Sequence, residues 1–326
     1  MPKAGFFDRK SITILKLVLL LLVNCAFIYW YRDTDGALAL FILLIAMVCW
    51  GSISVFRAKD LKKQRKSGDF TTIFLVLIFV WGYLIQHLEI ADTVLYPSPM
   101  RVMDIMVEEF PRYLDNLVFS LGLLAEGFVI ALCTGFPLGL LLACNQRVRL
   151  ACSSYTKILS LIPSLAFLPY AIAAAPTFRA ASIFVIFYSM FWTILNWTIR
   201  GVATFDPNYI LTARLLGIPK TRYLFRVLIP GIMPSVLSGV SGCISGGFVV
   251  LIAAEMLGSS RGLGYFIKYF SMFLNYHKII VGIIYLGISV CAVTWLYEKL
   301  QARILSWQVN ERKRRFESFR KIRASK

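Results

Sequence analysis

The sequence predicts an all-α, polytopic membrane protein with about eight transmembrane helices, and its composition and apolar runs carry that prediction. Hydrophobic residues make up 58% of the 326 residues, and the mean hydropathy of +0.71 is too high for a soluble domain. Several apolar runs of about twenty residues are long enough to cross a bilayer. Because backbone polar groups in lipid must be satisfied within their own segment, these runs should be helical.

The apolar runs define the predicted spans, each with ends placed to within about three residues. The fourth span is too long for one straight crossing, so an interfacial turn or a tilt is expected there. In chain order, the spans lie near residues 12–31, 37–56, 70–88, 116–144, 155–175, 180–200, 235–257 and 279–300.

The net charge of +18 lies mostly in loops and tails beside the spans, so membrane topology explains it better than nucleic-acid binding. Basic segments at 57–69, 145–154 and 205–234 all fall on the side of the basic termini, and the loop at 258–278 falls on the other side with only a mild excess of basic residues. The positive-inside rule therefore predicts that both termini are cytoplasmic. The opposite side holds the most acidic loop, with Glu89, Asp92, Asp104, Glu108 and Glu109.

No motif in the chain indicates a metal site, a bound cofactor or catalysis. The seven cysteines lie in or beside apolar runs without a CxxC pair, so we interpret them as small apolar residues. The sequence has no GxxxxGK[ST] motif and therefore no P-loop for ATP. His87 and His277 lie at span ends, far apart in sequence. The chain is therefore not expected to be an enzyme.

The semi-polar segment 205–234, which we call the elbow, predicts two short helices joined by a turn. Asp206 is a good N-cap and Pro207 suits the first helical position. Gly217 can adopt the left-handed conformation that ends a helix. Pro219 can start the second helix, Pro230 is expected to end it, and Pro234 is expected to open the next span.

Leucines on the first elbow helix form an apolar ridge at helical spacing, beside basic residues. One interpretation is an ordinary interfacial loop. The other is a docking helix for a soluble partner whose groove has an acidic rim. The ridge consists of Leu211, Leu215 and Leu216.

The elbow resembles the cytoplasmic loop of binding-protein-dependent ABC importer permeases. That pattern is Glu-Ala-Ala, three residues, Gly, nine residues, Ile, any residue, Leu-Pro. Ala213 and Gly217 match it, and nine residues after Gly217 the chain reads Val-Leu-Ile-Pro, ending at Pro230. Leu211 stands in place of the glutamate and Thr212 in place of an alanine, so a salt bridge through that glutamate is not expected.

Three further stretches resemble the nitrate/sulfonate/taurine branch of these permeases, and all four matches occur in the family's order over about residues 70–308. The resemblance implies a type I ABC importer permease core at 67–308, preceded by an extra two-span hairpin and basic linker at 1–66 and followed by a basic tail at 309–326. The three stretches are Tyr96–Pro99, Ile162–Pro169, and Ala254–Gly258 together with Gly262–Tyr265.

The resemblance implies a permease subunit in the bacterial cytoplasmic (inner) membrane that imports a small, anionic solute such as a sulfonate, nitrate or taurine. It implies two ABC ATPase subunits that use the ATP, a second permease copy forming a homodimer, and an extracytoplasmic solute-binding protein. The alternative is an ATP-independent secondary transporter or channel, and a membrane enzyme is least supported. The implied ATPase-coupling residues are Leu211, Ala213, Arg214, Leu215, Leu216, Gly217 and Pro230.

Candidates for the translocation path are ionisable, helix-interrupting or small residues inside spans. Ionisable residues in lipid are costly and usually face protein or water, and backbone groups freed by prolines are tolerated where they line a cavity. Packing is the alternative explanation; for Glu255 it would be a helix end satisfied by backbone or by Arg261. The candidates are Glu126, Pro163, Ser164, Pro169, Tyr170, Gly246 with its neighbours Gly242 and Gly247, and Glu255.

Overall fold

The computed structural model describes residues 4–30, 37–57, 61–87 and 95–307, and every regular element in those ranges is helical. A 3-10 turn at Ser164–Phe167 precedes α7, and π-helical turns at Tyr83–His87 and Leu224–Leu228 follow α3 and α10. The all-α prediction is therefore confirmed. The α-helices are α1 Ala4–Trp30, α2 Ala37–Arg57, α3 Leu61–Gly82, α4 Pro99–Glu108, α5 Phe110–Cys144, α6 Gln146–Ser160, α7 Leu168–Ala174, α8 Phe178–Ala203, α9 Pro207–Leu215, α10 Lys220–Tyr223, α11 Ile229–Gly258, α12 Leu263–Met272 and α13 Tyr276–Ile304.

Six described helical stretches are long and apolar enough to cross a membrane, and a seventh span results if one bent pair counts as a single crossing. The bent pair, Gln146–Ser160 and Ser164–Ala174, turns by 70°. The first helix contributes a shorter apolar stretch, Thr13–Ala26. Each predicted span overlaps one of these stretches, so the polytopic architecture is confirmed. The six are Leu38–Arg57, Ser67–Ile85, Phe110–Cys144, Phe178–Ala203, Lys220–Gly258 and Tyr276–Ile304.

Several predicted loops contain helix. Helix α3 begins inside the predicted linker at 57–69, α4 lies inside the predicted acidic loop, and α12 lies inside the predicted loop at 258–278. The fourth span is one continuous helix of 35 residues, α5, rather than a span broken by an interfacial turn. Ser98 caps α4 by accepting a hydrogen bond from the backbone N–H of Arg101. The predicted tail at 309–326 and the acidic residues Glu89 and Asp92 lie outside the described residues.

The described helices fall into two compact units. The first comprises the described parts of Met1–Leu114 and Ile267–Ile284. Within it α1, α2 and α3 pack against one another, and α4 packs on α2 and α3. Its hydrophobic core consists of Leu17, Ile28, Leu40, Leu44, Val48, Leu75 and Met100.

The second unit comprises Asp115–Phe266 and the described part of Tyr285–Lys326. Its most extensive helix contact joins α8 and α11. Glycines allow that approach, because a Cβ at Gly239 would collide with the Trp197 ring and a Cβ at Gly247 would collide with Met190. The core of this unit includes Leu123, Leu168, Ile186, Ile194, Phe248 and Leu251.

Candidate functional site

The first leg of the elbow is helix α9, and it begins as predicted. The Asp206 side chain accepts a hydrogen bond of 2.9 Å from the backbone N–H of Asn208, and Pro207 occupies the first turn. This N-cap satisfies one of the backbone donors that a helix start leaves without a partner. The residues at the start of the elbow therefore determine where α9 begins.

The turn after α9 is a Schellman motif centred on Gly217. The backbone N–H of Ile218 donates to the carbonyl of Ala213 at 3.0 Å, and that of Gly217 donates to Arg214 at 3.1 Å. Gly217 has φ of 63°, and a Cβ there would meet no atom within 4 Å. Glycine is therefore favoured by backbone conformation rather than by crowding.

The second leg differs from the prediction. Pro230 does not end a helix, and Pro234 does not open one: both lie within α11, which follows α10 and the π-helical turn at Leu224–Leu228. A proline ring inside a helix clashes with the carbonyl four residues earlier. For Pro230 that carbonyl belongs to Arg226, inside the π-helical turn, where the Ile229 N–H donates to the carbonyl of Leu224, five residues back instead of four.

The apolar ridge of the elbow lies exposed on the described chain. Leu211 is 62% exposed, Leu215 is 81% exposed and Leu216 is 71% exposed. Ala213 is buried on the opposite side of α9, and Arg214 is exposed beside the ridge. Below the elbow, Leu228, Ile232 and Val236 pack with Leu140 of α5 in one hydrophobic cluster.

A second polar arrangement surrounds Glu255, at the far end of α11 from the elbow. Glu255 is 0% exposed, and its two carboxylate oxygens accept hydrogen bonds from the Ser120 hydroxyl at 2.6 Å and the Gly264 N–H at 2.7 Å. Ser120 also accepts a bond of 2.9 Å from the Leu263 N–H. The carboxylate is held by backbone and a hydroxyl, not by Arg261. We call Asn116, Ser120, Glu255, Gly262 and Gly264 the Glu255 cluster.

Two glycines let the loop between α11 and α12 close onto the carboxylate. Gly262 has φ of 113°, and its N–H donates to the Asn116 side-chain carbonyl at 2.8 Å. A Cβ on Gly262 would overlap the Glu255 carboxylate, and one on Gly264 would overlap the backbone carbonyl of Ile252. The sequence stretch Ala254–Gly258 with Gly262–Tyr265 therefore forms a loop that packs closely over the buried Glu255 carboxylate.

Glu126 takes part in a different contact. Its carboxylate accepts a hydrogen bond from the Arg179 guanidinium at the start of α8, and both side chains are partly exposed. The guanidinium also lies 6.0 Å from the centre of the Phe119 ring. Both residues belong to helices that qualify as membrane spans.

The predicted break in the fifth span is confirmed. Helix α6 ends before Pro163, which is the N-cap of the 3-10 turn that Ser164 begins. Pro169 lies in the first turn of α7 and Tyr170 follows it, with a largely exposed ring. The glycines of α11 fall into an open group and a packed group. A Cβ on Gly242 or Gly246 would meet nothing within 4 Å, whereas one on Gly247 would collide with Met190.

The sequence-predicted residues therefore occupy separate places: the elbow, the Glu255 cluster, the Glu126–Arg179 pair and the broken span. Asn116, Ser120 and Arg179 were not predicted. Asn116 and Ser120 carry a readable signal, since polar residues four apart lie on one face of α5. The partner of Ser120, Glu255, is however 135 residues away in sequence.

Comparison with known proteins identifies the class. The family model "Binding-protein-dependent transport system inner membrane component" matches residues 135–306. The bicarbonate transport system permease protein CmpB of Synechococcus elongatus is 31% identical over 77% of this chain and 94% of its own length. The nitrate import permease protein NrtB of Leptolyngbya laminosa is 29% identical over 70% of this chain and 84% of its own.

A solved structure shares the fold. It is the inward-facing MetNI methionine ABC transporter, with a TM-score of 0.53 at 16% identity over 60% of this chain and 98% of that chain. The family model and the permease relatives show that the protein is a polytopic inner-membrane permease component and not a catalytic subunit. It belongs to the family of binding-protein-dependent transport system inner membrane components. This membership supports an ABC importer permease over an ATP-independent transporter or channel.

Proposed function

We propose that two copies of this chain form the translocation path of an ATP-driven importer, with two ATPase subunits inside and a solute-binding protein outside. The family description and the similarity to importer permeases support this assembly. ATP is used by the partner ATPase, and this chain binds no cofactor. The open face at Gly242 and the exposed Val249 on α11 is a candidate contact for the second copy.

The observation that carries the coupling role is the exposed apolar ridge on an ordered helix. A soluble surface rarely leaves three neighbouring leucines open unless a partner covers them. Leu215 and Leu216 fit a groove on the ATPase, with Leu211 and Arg214 at its rim. Gly217 sets the turn and Ala213 anchors α9, while Pro230 lies in the root of α11 and carries the movement into the membrane.

Transport then follows alternating access between inward-open and outward-open states, biased by ATP binding to the partner. Gly246 and Tyr170 would line the path, together with Pro163, Ser164 and Pro169 at the broken span. Glu126 would act with Arg179 near the outer mouth, where Glu255 would hold the loop that closes the mouth. Both termini and the elbow would be cytoplasmic, as the basic loops predict.

The proposed solute is a small molecule with an oxyanion group, such as nitrate, bicarbonate, a sulfonate or taurine. The names of the relatives, a bicarbonate and a nitrate permease, support a small oxyanion. In the proposed assembly the binding protein would set most of the selectivity.

The test compares two substitutions on the same ridge. Leu215→Glu places a charge at the most exposed ridge position, so we expect the ATPase to be lost on affinity purification in mild detergent. Leu211→Glu places the same charge where the family has glutamate, so the ATPase should remain bound. Wild-type protein that brings no ATPase with it would contradict the proposal.

Coupling is tested separately at the turn. Gly217→Val strains a left-handed residue by about 1–2 kcal/mol and should tilt α9 without unfolding the membrane core, since the position has open space. We expect ATP hydrolysis to continue while uptake falls. Unchanged uptake per ATP would contradict a coupling role for the elbow.

A further inference from the structure

A cavity of about 210 Å³ lies where the membrane span bends between α6 and α7. One water molecule needs only about 10–15 Å³ of such space, so the cavity holds a small solute with room for water. It lies entirely within the second compact unit. Its lining residues are Ser160, Leu161, Ile162, Pro163, Ser164, Tyr188, Ser189, Trp192 and Thr193.

The hydroxyls of the cavity wall divide into two groups. Ser160 donates its proton to the carbonyl of Lys157 at 2.8 Å, and Thr193 donates to the carbonyl of Ser189 at 3.2 Å. These two hydroxyls are occupied by the helices that carry them. Their protons are not available to a solute.

The hydroxyls of Ser164, Tyr188 and Ser189 make no hydrogen bond to any part of the chain that the structure describes. Ser164 is only 7% exposed, yet its hydroxyl oxygen keeps some accessible surface, and the residue lines the cavity. A buried hydroxyl without a partner is costly, so native proteins fill such a place with water or a ligand.

The Tyr188 ring is held in place by neighbouring aromatic rings. Its centre lies 4.9 Å from that of Phe167 and 5.9 Å from that of Trp192. This packing restricts the rotation of the Tyr188 side chain and so fixes the position of its hydroxyl. Ser189 follows it directly on α8.

We propose that this hydroxyl cavity is a transient binding site for a small oxyanion, with Ser164, Tyr188 and Ser189 as hydrogen-bond donors. No carboxylate lines it, so no negatively charged side chain repels an anion there. No lysine or arginine lines it either, and neutral donors bind an anion weakly enough to release it, which conduction requires. The inference rests on the proposed import of a small anion and locates that anion inside the permease.

The experiment uses cells that express the chain with its ATPase and binding protein, and measures initial uptake of isotope-labelled nitrate and bicarbonate at saturating concentration. Ser164→Ala should lower the maximal rate about tenfold, the effect of losing one hydrogen bond to a charged group. Ser160→Ala is the matched control, because it removes a hydroxyl from the same wall that is already bonded to Lys157. Its rate should stay within about twofold of wild type.

Two measurements distinguish a loss of anion binding from a loss of folded protein. Protein in the membrane, measured by immunoblot, and co-purification of the ATPase subunit with the chain should stay unchanged in Ser164→Ala. Tyr188→Phe, which keeps the packed ring, should also lower the rate. If wild type imports an anion and both variants match it, the cavity holds water only and the inference is overturned, while the proposed function stands. If wild type imports neither nitrate nor bicarbonate, the proposed import of these two oxyanions fails and this inference fails with it.

Discussion

The elbow and the Glu255 cluster both depart from the usual pattern of apolar residues inside and charged residues outside, and they do so in opposite ways. The elbow leaves Leu211, Leu215 and Leu216 exposed, whereas the cluster buries a carboxylate completely. A buried acid is tolerated only where hydrogen bonds satisfy it, and the cluster supplies them from Ser120 and Gly264. Exposed leucines need no internal partner, and they become favourable when another protein or the lipid interface covers them.

The difference teaches which region acts through its own fold and which acts through assembly. Substitutions in the Glu255 cluster should change the stability of the isolated chain. Substitutions on the ridge should leave that stability unchanged and change only what the chain binds. Both regions lie in the second compact unit, and α11 belongs to both, with its root below the elbow and Glu255 near its other end.

The largest effect is expected at Glu255. Glu255→Leu removes both acceptors and leaves the buried Gly264 N–H and the Ser120 hydroxyl without this partner, so the free energy of unfolding should fall by about 4 kcal/mol. Glu255→Gln keeps one acceptor oxygen and should lose less. The measurement is thermal unfolding of the purified chain in detergent. If Glu255→Leu unfolds at the wild-type temperature, the cluster does not stabilise the fold.

Next in size is a contrast between the two glycines with positive φ. Gly262→Ala strains the backbone and drives a methyl group into the Glu255 carboxylate, so we expect a loss of about 3 kcal/mol. Gly217→Ala has the same backbone problem but open space around the Cβ, so about 1 kcal/mol is expected. Unfolding of both variants under identical conditions gives the comparison. Equal losses would show that crowding at Gly262 contributes nothing.

The start and the turn of the elbow were predictable because their signals are local. The Asp206 cap, Pro207 and Gly217 act within a few residues of themselves, so the sequence contains everything that sets their conformation. The bend at Pro163 was predictable for the same reason. Of these features, Gly217 and Pro163 also belong to the stretches that resemble the permease family.

The remaining features depend on what lies across the fold. Pro230 was wrongly predicted to end a helix, because the π-helical turn that accommodates it is a backbone arrangement with no sequence signature. The partner of Glu255 is on α5, far away in sequence, and only packing brings the two together. Likewise, the sequence placed Ser164 beside a break but could not place Tyr188 and Ser189 in the same cavity wall.

The smallest expected effect is at the helix start that supports the ridge. Asp206→Ala removes the N-cap of α9, which should cost about 1 kcal/mol and fray the first turn, because the Asn208 N–H loses its acceptor. Asp206→Asn is the matched control, since asparagine caps about as well as aspartate. Hydrogen exchange at Asn208 should speed up only in the alanine variant, with global unfolding unchanged. Equal exchange in both variants would mean that the Asp206 side chain does not protect the first turn of α9.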